Sequence, residues 1–213
     1  MRNLNYVAIE GAIGVGKTSL AKLLSERLGA KLVLEKFEEN PFLSEFYEDP
    51  GRFAFQTQLF FLLQRYQQQQ ELRQVDMFHN LLISDYMFIK DRLFASLNLD
   101  EKEMSLYDSI ANMLERNIIN PDLIIYLQAD TNTLMKNIAK RGRDFEANIS
   151  YDYINALNEI YTEYFFRYNE TPLVIINTNH IDFVNNSADL DQVIDYIRQP
   201  VSGTKFFNPT AST

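Results

Sequence analysis

Gly11, Gly14, Gly16, Lys17 and Thr18 stand between an apolar run, Tyr6 to Ile9, and a helical periodicity that follows, and Gly11 to Thr18 fits the spacing G-x-x-x-x-G-K-S/T. The chemistry this pattern serves is phosphate binding. Glycines let the backbone curl so that several N–H groups converge on one concavity, and the helix behind adds the partial positive charge of its N-terminus. Lys17 then reaches the outer phosphates, while the Thr18 hydroxyl is placed to ligate magnesium. An ordinary strand–turn–helix connection needs neither the lysine nor the threonine. The stretch Gly11-Ala12-Ile13-Gly14-Val15-Gly16-Lys17-Thr18-Ser19 is therefore read as a nucleotide-binding loop, which by itself does not name a reaction.

Phosphoryl transfer at such a loop needs a base, a magnesium partner and cations for the moving group. Glu35 and Asp85 each follow a short apolar run, 31–34 and 81–84. Open parallel sheets bind ligands at the carboxyl ends of their strands, so both acids are expected to face the crevice of the loop. One would activate a hydroxyl and the other hold magnesium with Thr18. A lone strand-end acid is more often a helix cap; beside a phosphate loop the functional reading is the stronger. Lys140, Arg141 and Arg143 cluster after a helix, either as a lid that grips phosphate or as cations complementing the helix dipole. Gln58 and Arg65 lie two turns apart on one helical face. His79 and His180 have no evident partners and are read as structural or exposed.

The runs at 6–9, 31–34, 81–84, 123–127 and 173–176 supply five strands. Helical patterns alternate with them, over Ser19–Leu28, a short piece carrying Tyr47, 52–75, Tyr86–Leu97, Glu101–Ile119, Asn132–Lys140, Ser150–Tyr168 and Leu190–Arg198. Alternation of this kind predicts a doubly wound α/β domain with a parallel sheet flanked by helices. The expected organisation is one domain over 1–200, with a lid at about 137–149, and a loose tail over 201–213.

A net charge of −9 argues against a nucleic-acid partner, since binding its backbone needs a basic face. With no cysteine, disulfides and thiolate metal sites are excluded. No run approaches the ~18 apolar residues of a membrane span, and no charged-then-apolar leader precedes the first strand, so a soluble cytoplasmic protein is expected. Tyrosines 151, 153, 161, 164 and 168 exceed what one buried helix face needs, which, with the 101–119 helix, predicts a homodimer contact.

Ile9 to Leu20, then Leu34-Glu35, Phe53-Ala-Phe-Gln-Thr-Gln58 with Arg65, Asp85, and Arg141-Gly-Arg-Asp-Phe-Glu146 together resemble the deoxyribonucleoside kinase family, nearest its bacterial deoxyguanosine/deoxyadenosine kinase branch. The resemblance runs in order from about Tyr6 to Phe183. It implies a P-loop kinase fold with a short arginine-bearing lid, and ATP- and magnesium-dependent phosphorylation of a deoxynucleoside 5′-hydroxyl, purines preferred. It also implies roles. Glu35 would be the general base, Gln58 the reader of the base edge, and Arg65 with Asp91 a second reading pair. Tyr47 and Glu146 would hold the sugar 3′-hydroxyl, Arg141 and Arg143 the donor phosphates, and Asp85 with Thr18 the magnesium. Asp182 and Phe183 fall in the loop that cradles the donor adenine. Two departures stand out. Asp85-Tyr86-Met87 replaces the Glu-Arg-Ser or Asp-Arg-Ser of many members, removing an arginine beside the acceptor hydroxyl. Asn137 stands where another lid arginine is common, leaving Lys136 or Lys140 to compensate. The rival readings are a nucleoside monophosphate kinase of thymidylate-kinase type, which would need further cations where Glu35 stands, and a non-catalytic nucleotide switch, in which Gln58, Arg65 and Asp91 have no purpose.

Overall fold

The computed structural model describes residues 4–73 and 81–209; His79 and the last two residues of the expected 52–75 helix lie outside them. β1 (Tyr6–Glu10) is the central strand, paired in parallel with β3 (Leu82–Ser84) on one side and β4 (Leu123–Gln128) on the other. β2 (Lys31–Val33) lies beyond β3, and β5 (Leu173–Asn177) beyond β4. The sheet is parallel throughout, as expected, but it has six strands rather than five. β6 (Thr204–Phe207) comes from the segment read as tail and pairs with β5, completing the order β2-β3-β1-β4-β5-β6. Its residues alternate between exposed and half-buried at the sheet edge, so no continuous apolar run announces it.

The helices are α1 (Lys17–Leu28), α2 (Leu43–Glu48), α3 (Pro50–Arg73), α4 (Lys90–Asn98), α5 (Glu101–Glu115), α6 (Thr131–Arg141), α7 (Tyr151–Arg167) and α8 (Ser187–Ile197). Among the described residues none is long and apolar enough to cross a membrane. The long helix expected from residue 52 begins two residues earlier, with Pro50 and Gly51 as the first residues of α3; a proline there forfeits no helical hydrogen bond. α4 begins four residues later than the periodicity predicts. Residues 85–89 form a turn, because Glu10 accepts the Met87 N–H at 2.7 Å and the Ser84 hydroxyl donates to the Tyr86 carbonyl at 2.6 Å. Both groups are thereby satisfied outside helical geometry.

Alternation along the buried strands divides the core in two. Val7, Ile9, Ile125, Leu127, Val174 and Ile176 pack with Leu20, Leu24, Leu134 and Val193 of α1, α6 and α8. Tyr6, Ala8, Ile124, Tyr126 and Ile175 pack on the other face with Leu157, Tyr161 and Phe165 of α7 and Leu93 of α4. Tyr161 and Tyr168 are thus buried within the chain's own core, which weakens the argument from tyrosine excess. The large apolar side chains left exposed include Leu106 and Met113 on α5 and Tyr151 and Phe166 on α7.

Candidate active site

The chain runs from β1 to one side of the sheet for β2 and β3, then returns to the other for β4, so the loop after β1 sits at the topological switch point, where such sheets bind ligands. Gly14 shows why the loop needs glycine. Its φ is +87°, and a Cβ there would lie 2.6 Å from the Leu134 carbonyl oxygen of α6. The loop is therefore seated directly on its neighbouring helix. Asn137, also on α6, donates to the Gly14 carbonyl at 2.9 Å. Lys17 folds back over the loop, donating to the carbonyls of Gly11 and Ala12 at 2.8 and 3.0 Å. Burial and the charge of Lys90 push its ammonium down to about 8, with Glu10, Glu35 and Asp85 acting the other way.

Thr18 and Asp85 meet: the hydroxyl donates to Oδ2 at 2.5 Å, while Oδ1 accepts the Glu35 N–H at 2.8 Å. Asp85 thereby ties the end of β2 to the start of α1. A hydroxyl and a carboxylate oxygen side by side below a phosphate loop are hard donors that suit magnesium, which takes few protein ligands and completes its shell with phosphate oxygens and water.

Glu35 lies just beyond β2 with its carboxylate between two buried cations. Arg65 of α3 donates to Oε1 and Lys90 of α4 to Oε2. Burial alone would raise the carboxyl pKa, but Arg65 and Lys90, with Lys17, outweigh it and hold the group well below the usual carboxylate range. Arg65 pairs with Asp91 as well, and its guanidinium lies between the rings of Phe61 and Tyr86, 5.3 and 5.5 Å away. Tyr86, at the position of the missing arginine, is fully buried and donates to Gln68 at 2.9 Å.

One cavity gathers Glu35, Tyr47, Gln58, Arg65, Asp85, Asp91, Arg141, Arg143 and Glu146 with Lys17 and Thr18. Gln58 Oε1 and Asp91 Oδ2 are buried there without a hydrogen-bond partner among the described residues. Buried polar atoms are rarely left so, because an unmade bond costs about 1–3 kcal/mol, and both residues line the cavity. The lid segment leans over the same cavity. Arg141 grips Glu146 at 2.5 and 2.6 Å, Arg143 reaches it at 3.3 Å, and the Arg143 guanidinium covers the Phe37 ring at 3.9 Å. Phe145 stacks on Tyr47 with centroids 5.8 Å apart. A second cavity holds Gly14 to Ser19, Lys136, Asn137, Lys140, Asp182 and Phe183, and shares Lys17, Thr18, Arg141 and Arg143 with the first. His180 is exposed and lines neither cavity.

Sequence reasoning overlooked four participants. Lys90 was visible only as a helix residue, and Glu10 only as a strand end. Glu10 is fully buried and accepts from Gly11 at 3.1 Å, fastening the loop to the 85–89 turn. Phe37 drew no reading, and Phe145 stood only as part of the Arg141 to Glu146 run; their place beside Arg143 and Tyr47 depends on how the lid docks.

A parallel sheet with a phosphate loop at its switch point, and an adjoining cavity holding the Glu35 carboxylate, define a phosphotransferase of the P-loop class. A model of the deoxynucleoside kinase family matches residues 7–202. The chain is 32% identical over 208 residues to a deoxyguanosine kinase of Bacillus subtilis, covering 93% of this chain and 99% of that one. It is also 32% identical over 209 residues to a deoxyadenosine kinase of Lactobacillus acidophilus, covering 91% and 95%. Among solved structures, a deoxyadenosine kinase from M. mycoides with bound dCTP superposes with a TM-score of 0.77 at 26% identity, over 90% of this chain and 98% of that one. The chain belongs to the deoxynucleoside kinase family, whose members are phosphotransferases with an alcohol acceptor.

Proposed function

We propose that this protein transfers the γ-phosphoryl group of ATP, as its magnesium complex, to the 5′-hydroxyl of deoxyribonucleosides, purines preferred, in nucleotide salvage. The observation that carries this reading is the single cavity lined by Glu35, Lys17 and Thr18 together with Gln58 and Asp91, each of which carries a buried polar atom without a partner among the described residues. A hydroxyl at Glu35 would adjoin the phosphate loop, and a base edge at Gln58 and Asp91 would satisfy atoms otherwise left unpaired. The relatives named deoxyguanosine and deoxyadenosine kinase support the purine preference.

In this reading Glu35 accepts the hydroxyl proton. Gln58, Arg65 and Asp91 read the base, and Tyr47 and Glu146 hold the sugar. The donor lies along Gly11 to Ser19 with its adenine near Asp182 and Phe183. Magnesium bound at Thr18 and Asp85 would neutralise donor charge. Lys17, Arg141 and Arg143 stabilise the transferring group once the two arginines leave Glu146 for phosphate oxygens. The transition state is loose, so positioning and charge neutralisation supply most of the acceleration. We further propose a cytoplasmic homodimer, from the exposed Leu106, Met113 and Phe166; light scattering showing a monomer at micromolar concentration would remove that part. No role for a nucleic acid or a membrane is proposed.

The test is a phosphotransfer assay with ATP and magnesium against the four deoxyribonucleosides, with dTMP and dAMP alongside and an EDTA control. Turnover of deoxyadenosine or deoxyguanosine, abolished by EDTA and absent with the monophosphates, is expected. Preferred turnover of a monophosphate would mean the cavity at Glu35 has been misread.

A further inference from the structure

Lys90 is the buried charge to which the reading above assigns no task. It opens α4, so its ammonium belongs to the turn carrying the helix's own partial positive charge, where cations are disfavoured. Its side chain is only 8% exposed, although lysines are almost never fully buried unless paired. Local electrostatics therefore oppose it twice. A methionine would fill the same space beside Phe94, whose ring centre lies 5.8 Å from Nζ. What compensates the charge is Glu35, whose Oε2 accepts from Nζ while Oε1 is held by Arg65. Lys90 also lines the cavity shared by Lys17, Thr18 and Asp85, with its charge felt at Lys17. A residue that breaks local rules at the wall of a reaction cavity, without an architectural gain, marks a functional constraint.

Resting on the kinase reading, we propose that Lys90 is a positioning residue for phosphoryl transfer, holding the Glu35 carboxylate oriented toward the acceptor hydroxyl. The hydroxyl proton passes to Glu35 as the hydroxyl oxygen bonds to the γ-phosphorus. The bond from that phosphorus to the β,γ-bridging oxygen breaks, and the nucleoside diphosphate departs with the electron pair. Lys90 keeps its proton throughout. A carboxylate has about four lone-pair directions, so the contacts from Arg65 and Lys90 leave room for the hydroxyl. The role also explains how Asp85-Tyr86-Met87 is tolerated: Tyr86 is committed to Gln68, and the cation at the acceptor end comes from the first residue of the following helix.

The experiment is steady-state kinetics on full-length wild type, Lys90→Met, Lys90→Arg, Glu35→Gln and the Lys90→Met/Glu35→Gln double variant. Lys90→Met should lose about 30- to 100-fold in kcat with nucleoside KM changed less than about threefold, the pattern of an interaction that matters in the transition state. Lys90→Arg, which keeps the charge, should stay within about tenfold of wild type. In the Glu35→Gln background Lys90→Met should cost less than about threefold, because the two residues act as one unit. A kcat near wild type in Lys90→Met, or an undiminished loss in the double variant, overturns the proposal. Lys90→Gln carries the same comparison if the Met variant does not fold, since it removes the charge while keeping a polar end, on a stem two methylenes shorter. A wild type that phosphorylates no deoxyribonucleoside sinks the kinase reading together with this one; an active wild type with an indifferent Lys90 sinks this one alone.

Discussion

Replacing Glu35 with glutamine separates catalysis from architecture at this site. The carboxylate accepts from two buried cations, Arg65 and Lys90. An amide offers one acceptor oxygen and turns an NH2 donor toward the cation left over. Removing one partner of a buried pair costs about 3–5 kcal/mol; Asp91 still holds Arg65, so the lower end, about 3 kcal/mol of unfolding free energy, is expected. On the rate, loss of a general base lowers kcat by about 10²- to 10⁴-fold, or about 2.7–5.4 kcal/mol of barrier. Nucleoside KM should shift far less. The stability loss depends on pH with a definite sign. Burial favours the neutral carboxyl, but Arg65 and Lys90 more than reverse this and depress its folded-state pKa. The carboxylate's contribution is therefore complete above the unfolded value of about 4.3 and is lost as pH falls below it toward the folded value. The gap between wild type and Glu35→Gln should narrow as pH is lowered from about 5 to about 3. Denaturant unfolding across that range and a coupled assay of ADP release give both quantities. A kcat within about threefold of wild type would refute the base assignment, and equal unfolding free energies at neutral pH would refute the ion-pair account.

Gln58→Leu should lower kcat/KM for the preferred nucleoside by about 10- to 100-fold, as expected for about 1–3 kcal/mol of lost pairing. Its unfolding temperature should hold or rise, since the variant removes an unpaired buried oxygen; kinetics and calorimetry on the same sample check both. Gly14→Ala, which sets a methyl group 2.6 Å from the Leu134 carbonyl at a φ of +87°, should cost about 1–3 kcal/mol of stability and weaken ATP binding, as read by thermal shift and nucleotide titration. Truncation after Pro200 removes β6, uncovers the edge of β5 and breaks the Tyr196–Phe207 stack, whose centroids are 4.3 Å apart. The truncated protein should unfold several degrees lower and aggregate more readily, as exposed edge strands do; an unchanged melting curve would deny β6 a structural role.

Some of this protein is written locally. The phosphate loop is legible because its function depends on backbone shape, and the glycines that allow the shape are adjacent in sequence. The central strands are legible because burial on both faces demands unbroken apolar runs, such as Leu123 to Leu127. Glu35 and Asp85 could be placed at one crevice because parallel topology puts the ends of successive strands on one side. β6 escaped notice because an edge strand buries little and needs no such run. The 85–89 turn looked helical because the bonds that unmake the helix come from Glu10, 77 positions before Met87.

Spacing over one or two turns of chain thus determined the nucleotide loop, the α/β alternation and the residues available for chemistry. Only the tertiary structure decided their electrostatic company. Glu35 meets Arg65 across 30 residues and Lys90 across 55, Thr18 meets Asp85 across 67, and Asn137 meets Gly14 across 123. The physical reason is that backbone conformation answers to near neighbours in sequence, whereas the charge state and orientation of a buried group answer to whatever packing brings within a few ångströms of it.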